Sequence, residues 1–316
     1  MKSLLEAYKR MLFLRVAQQE LIQHYLDKKV FSMVHFYVGQ EAVAVGVCDA
    51  LGKEDMVMGN HRSHGHYLAK GGSFRTMAAE LFGRATGSAH GKGGSMHQIG
   101  RSAGFMGSTP LLGSVAPIAA GVAFAQRYAK KKKVVAAFYG DGASEEGGVY
   151  ETYNLAALYA VPLLLIIENN GWSINSHIKN RRAPGYDIKK ITTGLGMRYE
   201  RANGNDYEDI FKKATKLVTS IRAGEGPAVL ECLVYRHMAH STPLMEEKFR
   251  QEDTIERRQK EDPIKKIRKT LQSSGVSAMK FDTEEQKIRS QIRADIAWAL
   301  KQPFPAKKEL YTNVYA

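Results

Sequence analysis

Residues 134–142 read VVAAFYGDG, and residues 162–172 read PLLLIIENNGW. Each stretch opens with a short apolar run of the kind that forms strands buried on both faces of a parallel sheet. Each run is followed directly by Gly, Asp or Asn, which places polar groups at the end of the strand. Ligands of open α/β sheets gather at this carboxyl edge. The two stretches therefore predict parallel strands whose ends converge on one ligand site.

The residue types at these two strand ends favour a metal-bridged diphosphate site. Asp141 supplies a hard oxygen suited to Mg²⁺ or Ca²⁺, and the carboxamide of Asn170 can complete the coordination. Gly140 and Gly142 would let the backbone turn sharply and approach an anion closely. A lone Gly-Asp-Gly is an ordinary turn, so the prediction depends on the pairing of the two strand ends.

The rest of the chain predicts a doubly wound α/β fold, with a mostly parallel sheet and helices on both faces. Residues 1–245 are assigned to this domain, and the charged, helical residues 246–316 to a C-terminal extension packed on it. Further strands are predicted at 56–59 and 228–235. Helices are predicted at 4–26, 42–51, 74–82, 117–129, 147–159, 206–222, from Asp262-Pro263 onward, and at 283–300.

Composition is that of an ordinary globular protein, with 316 residues, 44% hydrophobic and 25% charged. Cys48 and Cys232 each lie in an apolar stretch, which indicates reduced, buried thiols rather than a disulfide framework. The N-terminal pattern is helical, without an apolar signal core or a segment long enough to span a bilayer. We therefore expect a cytoplasmic location and no membrane partner.

A formal net charge of +14 raises the question of a nucleic-acid partner. Residues 130–133, KKKK, follow a predicted helix end, where cations complement the helix dipole, and the remaining excess lies mainly beyond residue 246. Because no basic stripe interleaved with aromatic residues accompanies these charges, we predict no nucleic-acid binding. An acidic partner protein remains open.

Several motifs resemble one enzyme family. Gly-Asp-Gly, followed after twenty-six residues by Asn-Asn, resembles the thiamine diphosphate signature. Over residues 5–270, further blocks resemble alpha subunits of 2-oxoacid dehydrogenases of the pyruvate, branched-chain and acetoin type. These blocks are GQEA (39–42), HRSHG (61–65), GKGGSMH (91–97) and YRHMAHS (235–241). The resemblance implies an enzyme that uses thiamine diphosphate and Mg²⁺ to decarboxylate a 2-oxoacid, or to cleave acetoin, and passes the acyl group to a lipoyl carrier.

The resemblance also implies how the cofactor is held. Asp141 and Asn170 are expected to bind Mg²⁺ through their side chains, and Trp172 through its carbonyl oxygen. Gly142 and Ala143 are expected to donate backbone N–H groups to the diphosphate just before a helix.

Three further residues are assigned to the cofactor. Arg62 matches the family's arginine and is expected to clamp the diphosphate, since a guanidinium fits phosphate oxygens in a fork. His61 stands where many relatives carry an aromatic ring beside the cofactor. Leu112 is expected to lie beneath the bend of the bound cofactor, although its block, PLLGSVA (110–116), departs from the family's usual Gly-Ile-Val-Gly.

Histidines are concentrated in the motif blocks, at His61, His64, His66, His90, His97, His237 and His240. Histidines at this density raise the question of a zinc site, but no cysteines accompany them, and acid-base chemistry fits them better. His240 matches the family's histidine that lies near the cofactor's diphosphate and the reacting carbon, and His64 matches another that faces the substrate. Both are predicted to be catalytic, through orientation of the substrate and proton transfer. Met238 replaces a polar residue that is common in the pyruvate enzymes.

The resemblance implies that the chain is catalytically incomplete. In the family, a beta subunit supplies the pyrimidine-binding domain and the catalytic glutamate, in an alpha-two beta-two assembly. The expected interface includes the helices after residues 117 and 147, and a lipoyl acyltransferase is a further expected partner. The leading alternative is a split transketolase-like or carboligating enzyme acting on a sugar or another keto substrate. A binding protein with a degenerate site is disfavoured by Asp141, Asn170 and Arg62.

Overall fold

The computed structural model describes residues 4–242 and 255–312. Its main sheet has six strands: β1 (Met56–Gly59), β2 (Phe105–Ser108), β3 (Val135–Gly140), β4 (Leu163–Asn169), β7 (Arg198–Asn203) and β8 (Ala228–Leu233). They lie in the order β2-β1-β3-β4-β8-β7, and every neighbouring pair is parallel. Two short strands, β5 (Trp172–Ser173) and β6 (Ser176–His177), form an antiparallel hairpin after β4. The predicted α/β fold with a parallel sheet is confirmed.

Eleven α-helices are assigned within the described ranges. They are α1 (Leu4–Leu26), α2 (Glu41–Ala50), α3 (His64–Ala69), α4 (Phe74–Leu81), α5 (Val115–Tyr128), α6 (Gly147–Leu158), α7 (Ile188–Gly194), α8 (Tyr207–Arg222), α9 (Ile255–Lys260), α10 (Pro263–Ser273) and α11 (Ala278–Leu300). No helix in these ranges combines the length and the apolar character needed to cross a bilayer.

The sheet separates two hydrophobic cores. Successive strand residues point to opposite faces, so Ala136 and Phe138 of β3 enter the core shared with α1–α4, α8, α10 and α11. Ala137 and Tyr139 enter the other core, with α5, α6 and α7. Because helices cover both faces, every position of such a strand is apolar. The doubly wound arrangement follows from this two-sided burial.

The C-terminal helices α10 and α11 pack against α1, and α11 also packs against α4. Phe281 of α11 is buried with its ring edge-on to Tyr8, at 4.9 Å between centroids. Arg15 of α1 joins the two parts by pairing with Glu41 at 2.6 Å and with Asp262 at 3.0 Å. The helical extension is therefore anchored on the α/β core. The domain boundary at residue 246 lies outside the described residues and stays a prediction.

Some predicted bounds differ from the structure. Helix α11 begins at Ala278 rather than at 283, because its first turns carry the buried Phe281. Strand β8 ends at Leu233, two residues before the predicted end. The edge strand β7 was not predicted, since its sequence, RYERAN, is mostly polar and only one of its six residues is buried. An edge position pairs with one neighbour alone, so it needs no continuous apolar run.

Candidate active site

The ends of β3 and β4 meet as the strand pattern predicted. Gly140 is the register partner of Glu168, which brings Asp141 beside the turn that follows β4. The backbone N–H of Asn170 donates to Asp141 Oδ1 at 3.3 Å, and Asn170 Oδ1 accepts from the Trp172 N–H at 2.9 Å. Gly171 has a φ of +79°, which glycine adopts without strain. The three predicted metal ligands therefore belong to one compact turn structure.

The side chain of Asn169 makes different contacts from the side chain of Asn170. Its side-chain amide donates to Glu231 Oε1 at 2.8 Å, and Glu231 lies in β8. Its Oδ1 accepts from the Gly171 N–H at 3.0 Å. Asn169 therefore ties the turn to the sheet, while Asn170 faces the site.

A cleft of about 240 Å³ opens at this edge of the sheet. Nine of the ten predicted site residues line it: His61, Arg62, Leu112, Asp141, Gly142, Ala143, Asn170, Trp172 and His240. Gln40, Asn60 and Met96 complete much of the remaining wall. The site residues come from motif blocks that are far apart in the chain, and the fold brings them to one place.

Gly142 is required for a reason other than the one expected from sequence. Its φ of −62° is ordinary, and Gly140 has no left-handed conformation either. A Cβ at Gly142 would lie 2.5 Å from Ser173 Oγ and 2.8 Å from Ser173 Cβ. The glycine therefore allows the hairpin strand β5 to lie against the Asp141 turn. A 3-10 turn (Ala143–Glu145) lies between this glycine and α6, which begins at Gly147 as predicted.

The carboxylate of Asp141 is buried, with 1% exposure, and is paired with an arginine. Arg181 Nη2 lies 2.5 Å from Asp141 Oδ2, and Arg181 also pairs with Glu145. Arg182 binds Glu145 through Nε at 2.6 Å and donates to the Asp141 carbonyl oxygen at 3.3 Å. Burial raises the pKa of the Asp141 carboxyl, and the charges of Arg181 and Arg182 oppose that rise.

Sequence analysis missed both arginines, because they lie beyond the two strand ends in the segment after the hairpin. The available signal was the adjacent basic pair, Arg181-Arg182, shortly after the second signature strand. In the structure this pair carries the counter-charge for a buried acidic group.

Arg62 and three histidines form the opposite wall of the cleft. Arg62 is buried and donates to the carbonyl oxygens of Phe36 at 2.7 Å and His240 at 2.8 Å. The ring centroids of His61 and His240 lie 5.3 Å apart. His35, which sequence analysis did not select, lies 4.3 Å from His61 and 5.0 Å from His240, between ring centroids.

Burial keeps two of these imidazoles neutral. It lowers the pKa of His35 to about 2, with the Arg62 charge acting in the same direction. The same two causes place the pKa of His61 well below its ordinary value. A neutral imidazole keeps a lone pair on one ring nitrogen, through which it can accept a hydrogen bond.

The model of the Dehydrogenase E1 component family matches residues 8–310. The chain belongs to this family. It is 36% identical over 315 residues to the pyruvate dehydrogenase E1 component subunit alpha of Zymomonas mobilis, covering 99% of this chain and 88% of that protein. It is 35% identical to the corresponding subunit of Rhizobium meliloti, covering 98% of this chain and 89% of the relative. It is 34% identical to the chloroplastic subunit alpha-3 of Arabidopsis thaliana, covering 99% and 74%.

Membership in the E1 family confirms the identification as an alpha subunit of a thiamine-diphosphate-dependent 2-oxoacid dehydrogenase, an oxidoreductase. It also confirms thiamine diphosphate and Mg²⁺ as the cofactors of the family. The residue assignments for these cofactors in this chain stay predictions.

His64 is the one predicted site residue of this E1 chain that lies outside the cleft. Its side chain is fully buried, with Nδ1 3.1 Å from Gln18 Oε1 and Nε2 2.9 Å from Ser95 Oγ. Burial lowers its pKa to about 4. We expected this ring to face the substrate. In the structure it does not line the cleft, because His64 lies at the start of α3 with its side chain packed in the core. There it links α1 to the glycine-rich block.

A buried acid organises the glycine-rich block of this E1 chain. Glu80, 1% exposed, accepts four backbone hydrogen bonds from that loop. Its Oε2 accepts from Ala89 at 2.7 Å and Gly91 at 2.8 Å, and its Oε1 from Gly93 at 2.7 Å and Gly94 at 3.0 Å. Sequence analysis missed Glu80, since an acid inside a helix pattern reads as a solvated residue.

Proposed function

We propose that this chain is the alpha subunit of a pyruvate-type 2-oxoacid dehydrogenase, which holds the diphosphate end of thiamine diphosphate through Mg²⁺. Asp141, Asn170 and the carbonyl oxygen of Trp172 are the proposed protein ligands of the ion. The observation that carries this proposal is the convergence of Asp141 and Asn170 at adjacent strand ends, inside one cleft.

The donor set fits the expected ion. Carboxylate, carboxamide and carbonyl oxygens are hard ligands, and Mg²⁺ is bound by few protein oxygens together with phosphate oxygens. Asp141 is buried and needs a positive neighbour, which Arg181 provides in the chain alone. Binding of Mg²⁺ would replace one counter-charge by another, so the buried carboxylate stays compensated throughout.

Other residues of the cleft would hold the diphosphate itself. The N–H groups of Gly142 and Ala143 lie in the turn before α6, where backbone donors favour an anion. Arg62 adds a fixed positive charge on the opposite wall. Leu112 gives an apolar surface beneath the proposed cofactor position.

When bound, thiamine diphosphate supplies the carbon that attacks the 2-oxo group and the electron sink for loss of carbon dioxide. The chain supplies orientation and proton handling. His240 lines the cleft, and its imidazole can hold or deliver a proton beside the substrate. Its backbone carbonyl accepts from Arg62, which fixes the position of this segment.

The substrate and the acyl acceptor are the finer parts of the proposal. The relatives cited above are named for pyruvate, which makes pyruvate the first substrate to assay. A lipoyl group is the proposed acceptor, carried by an acyltransferase partner. The family match favours decarboxylation of a 2-oxoacid over the transketolase-like alternative. The cytoplasmic location inferred from the sequence stays a prediction.

A beta subunit is the proposed main partner, and the relatives' names as alpha subunits support it. Helices α5 and α6 cover one face of the sheet and leave apolar side chains exposed on their outer side. These are Ile118, Phe124, Tyr128, Leu155, Leu158 and Tyr159. The rings of Phe124 and Tyr159 lie 5.2 Å apart between centroids, so α5 and the end of α6 share part of this surface, and exposed apolar groups of this kind are typical of a protein interface. We therefore place the beta subunit on this α5/α6 face, with an alpha-two beta-two assembly.

The small residues of α5 and α6 divide into two groups. Ala119, Ala120 and Ala123 are buried in the core under α5, so they serve helix-to-sheet packing. A Cβ added at Gly121, Gly147 or Gly148 would meet nothing within 4 Å. These three glycines therefore leave open space on the outer side of the helices, where a beta subunit could approach the backbone closely.

The test of the proposed site is Asp141→Asn in the chain assembled with its beta subunit. We expect magnesium-dependent binding of thiamine diphosphate, measured by calorimetry, to weaken by at least about a hundredfold, since even supporting partners of metal ligands contribute about 10- to 100-fold. Asp187→Asn is the matched control, because Asp187 caps α7 and asparagine caps equally well. Magnesium-dependent binding that is unchanged in Asp141→Asn would contradict the proposal.

A further inference from the structure

We propose that Glu231 is a positioning residue of the metal site, which holds the turn after β4 in place through Asn169. That turn carries Asn170 and Trp172, two of the three proposed protein ligands of Mg²⁺, so this inference rests on the proposed function. Glu231 does not itself line the cleft, and it is buried in β8 with 1% exposure. Its effect on the site therefore passes through another residue.

Asn169 connects Glu231 to the turn through both ends of its side-chain amide. The Nδ2 group donates to Glu231 Oε1 at 2.8 Å, and Oδ1 accepts from the Gly171 N–H at 3.0 Å. The backbone carbonyl of Asn169 accepts from the Val234 N–H at 2.9 Å. An ionised carboxylate only accepts and a backbone N–H only donates, so a single orientation of the amide satisfies both neighbours. Glu231 therefore determines how Asn169 presents its oxygen to the turn.

The second carboxylate oxygen ties Glu231 to the edge strand β7. Arg201 is the register partner of Glu231, and Tyr199 precedes it by two residues, so all three side chains lie on one face of the sheet. Glu231 Oε2 accepts from the Tyr199 hydroxyl and, at 2.7 Å, from Arg201 Nε. Burial raises the pKa of the Glu231 carboxyl, but hydrogen bonds from its three partners outweigh that effect and hold the pKa below its ordinary value. The carboxylate is thus ionised and fixed on both oxygens.

Packing alone does not explain an acid at this position. Strand β8 lies between β4 and β7, and Glu231 is the only charged residue of its sequence AVLECL. Strands covered on both faces are typically apolar throughout. A buried carboxylate loses its hydration, and an apolar side chain of similar volume is often as stable or more stable at such a site. The contacts of Glu231, rather than its packing, account for the acid.

The test compares two substitutions in the chain assembled with its beta subunit. Glu231→Leu should fold but lose the bond to Asn169, so magnesium-dependent binding of thiamine diphosphate, measured by calorimetry, should weaken by about 10- to 100-fold. Glu231→Gln keeps an oxygen opposite Asn169, and its NH₂ group can donate to the Tyr199 hydroxyl. Binding should therefore be largely restored in the glutamine variant.

A second measurement reports the turn directly, without the ion. Trp172 and Trp298 are the only tryptophans of the chain, so Trp298→Phe leaves the turn residue as the sole reporter. The partly buried Trp172 ring lies 4.8 Å from His177, between ring centroids. In the full chain carrying Trp298→Phe, Glu231→Leu should shift the emission to longer wavelength and increase quenching by acrylamide. Glu231→Gln should change neither quantity.

Glu200→Leu is the matched control. Glu200 of β7 pairs with Lys216, and its side chain lies on the opposite face of the sheet from Glu231. Cofactor binding and Trp172 fluorescence should both match the wild type. Binding in Glu231→Leu that equals the wild type, or an equal loss in Glu231→Leu and Glu200→Leu, would overturn the positioning role.

A variant on the other side of the link guards against misfolding. If circular dichroism shows that Glu231→Leu is unfolded, Asn169→Ala breaks the same contact and should weaken cofactor binding to a similar extent. Where both variants fold, the double variant should bind no more weakly than the single ones, because both changes remove one link. Additive losses would overturn the link through Asn169.

The two proposals fail in different ways. Magnesium-dependent binding that is absent from the wild type, or unchanged in Asp141→Asn, would contradict the proposed function. Trp172 quenching needs no ion, so it tests the contact between Glu231 and the turn separately. Equal quenching in Glu231→Leu and the wild type would overturn the positioning role and leave the proposed function standing.

Discussion

Substitution of Glu80 by glutamine should destabilise the chain far more than its conservative chemistry suggests. In the structure, each carboxylate oxygen of Glu80 accepts two backbone N–H groups of the glycine-rich block, over distances of 2.7 to 3.0 Å. Glutamine has the same shape but only one oxygen. Its NH₂ group would therefore face two backbone donors, whichever way the amide is turned.

The expected magnitude follows from those two donors. A donor that loses its partner in a buried position costs about 1–3 kcal/mol, and the loop is only partly buried, so we expect a loss of about 2–4 kcal/mol. The four bonds to the carboxylate are also charge-assisted, and glutamine weakens the two that remain. Met96, in the same block, lines the cleft, so cofactor binding should weaken as well.

Urea denaturation, followed by circular dichroism, measures this change as a shift in midpoint at constant slope. Glu54→Gln is the matched control: the Glu54 side chain is 73% exposed and pairs with Lys133 at the surface. Removing that charge should leave the midpoint nearly unchanged, because a solvent-exposed ion pair contributes little to stability. If Glu80→Gln were as stable as this control, the four-bond anchor would not hold the glycine-rich block, and the argument would be refuted.

Three further predictions concern the cleft, the core and the proposed interface. His240→Ala should lower turnover by about a hundredfold or more while leaving the fold and cofactor binding intact, and unchanged turnover in a decarboxylation assay would make His240 structural. The wild type should lose up to roughly 3 kcal/mol of stability as pH falls from 6.5 to 4, because unfolded His64 binds a proton there and folded His64, with its pKa lowered to about 4, does not. Denaturation measured across this pH range should show a smaller loss of stability in His64→Gln than in the wild type. An equal loss in both proteins would contradict the prediction. Leu158→Lys, on the α5/α6 face, should weaken assembly with the beta subunit at least tenfold in sedimentation experiments, while Leu310→Lys, at a similarly exposed leucine, should not; equal assembly of both would remove the beta subunit from this face.

Local sequence determined the parallel sheet and its functional edge. The apolar runs that became β3 and β4 are continuous because both faces of each strand are buried, and that pattern is visible without any contact being known. The polar residues after each run then had to lie at the same edge, since parallel strands end together. Asp141 and Asn170 could therefore be chosen from the sequence, and the structure brings both to the cleft.

Contacts between distant segments were decided by the tertiary structure alone. Arg181 pairs with a carboxylate forty residues earlier, and His35 meets His240 across most of the chain, so no local pattern marks either residue. His64 is a residue that its motif did select, but with the wrong orientation. The motif predicted a ring that faces the substrate, and packing directs this ring into the core. A motif specifies which side chains are present on a segment. The direction of each side chain, and the charge that compensates it, depend on which other segments the fold packs against that one.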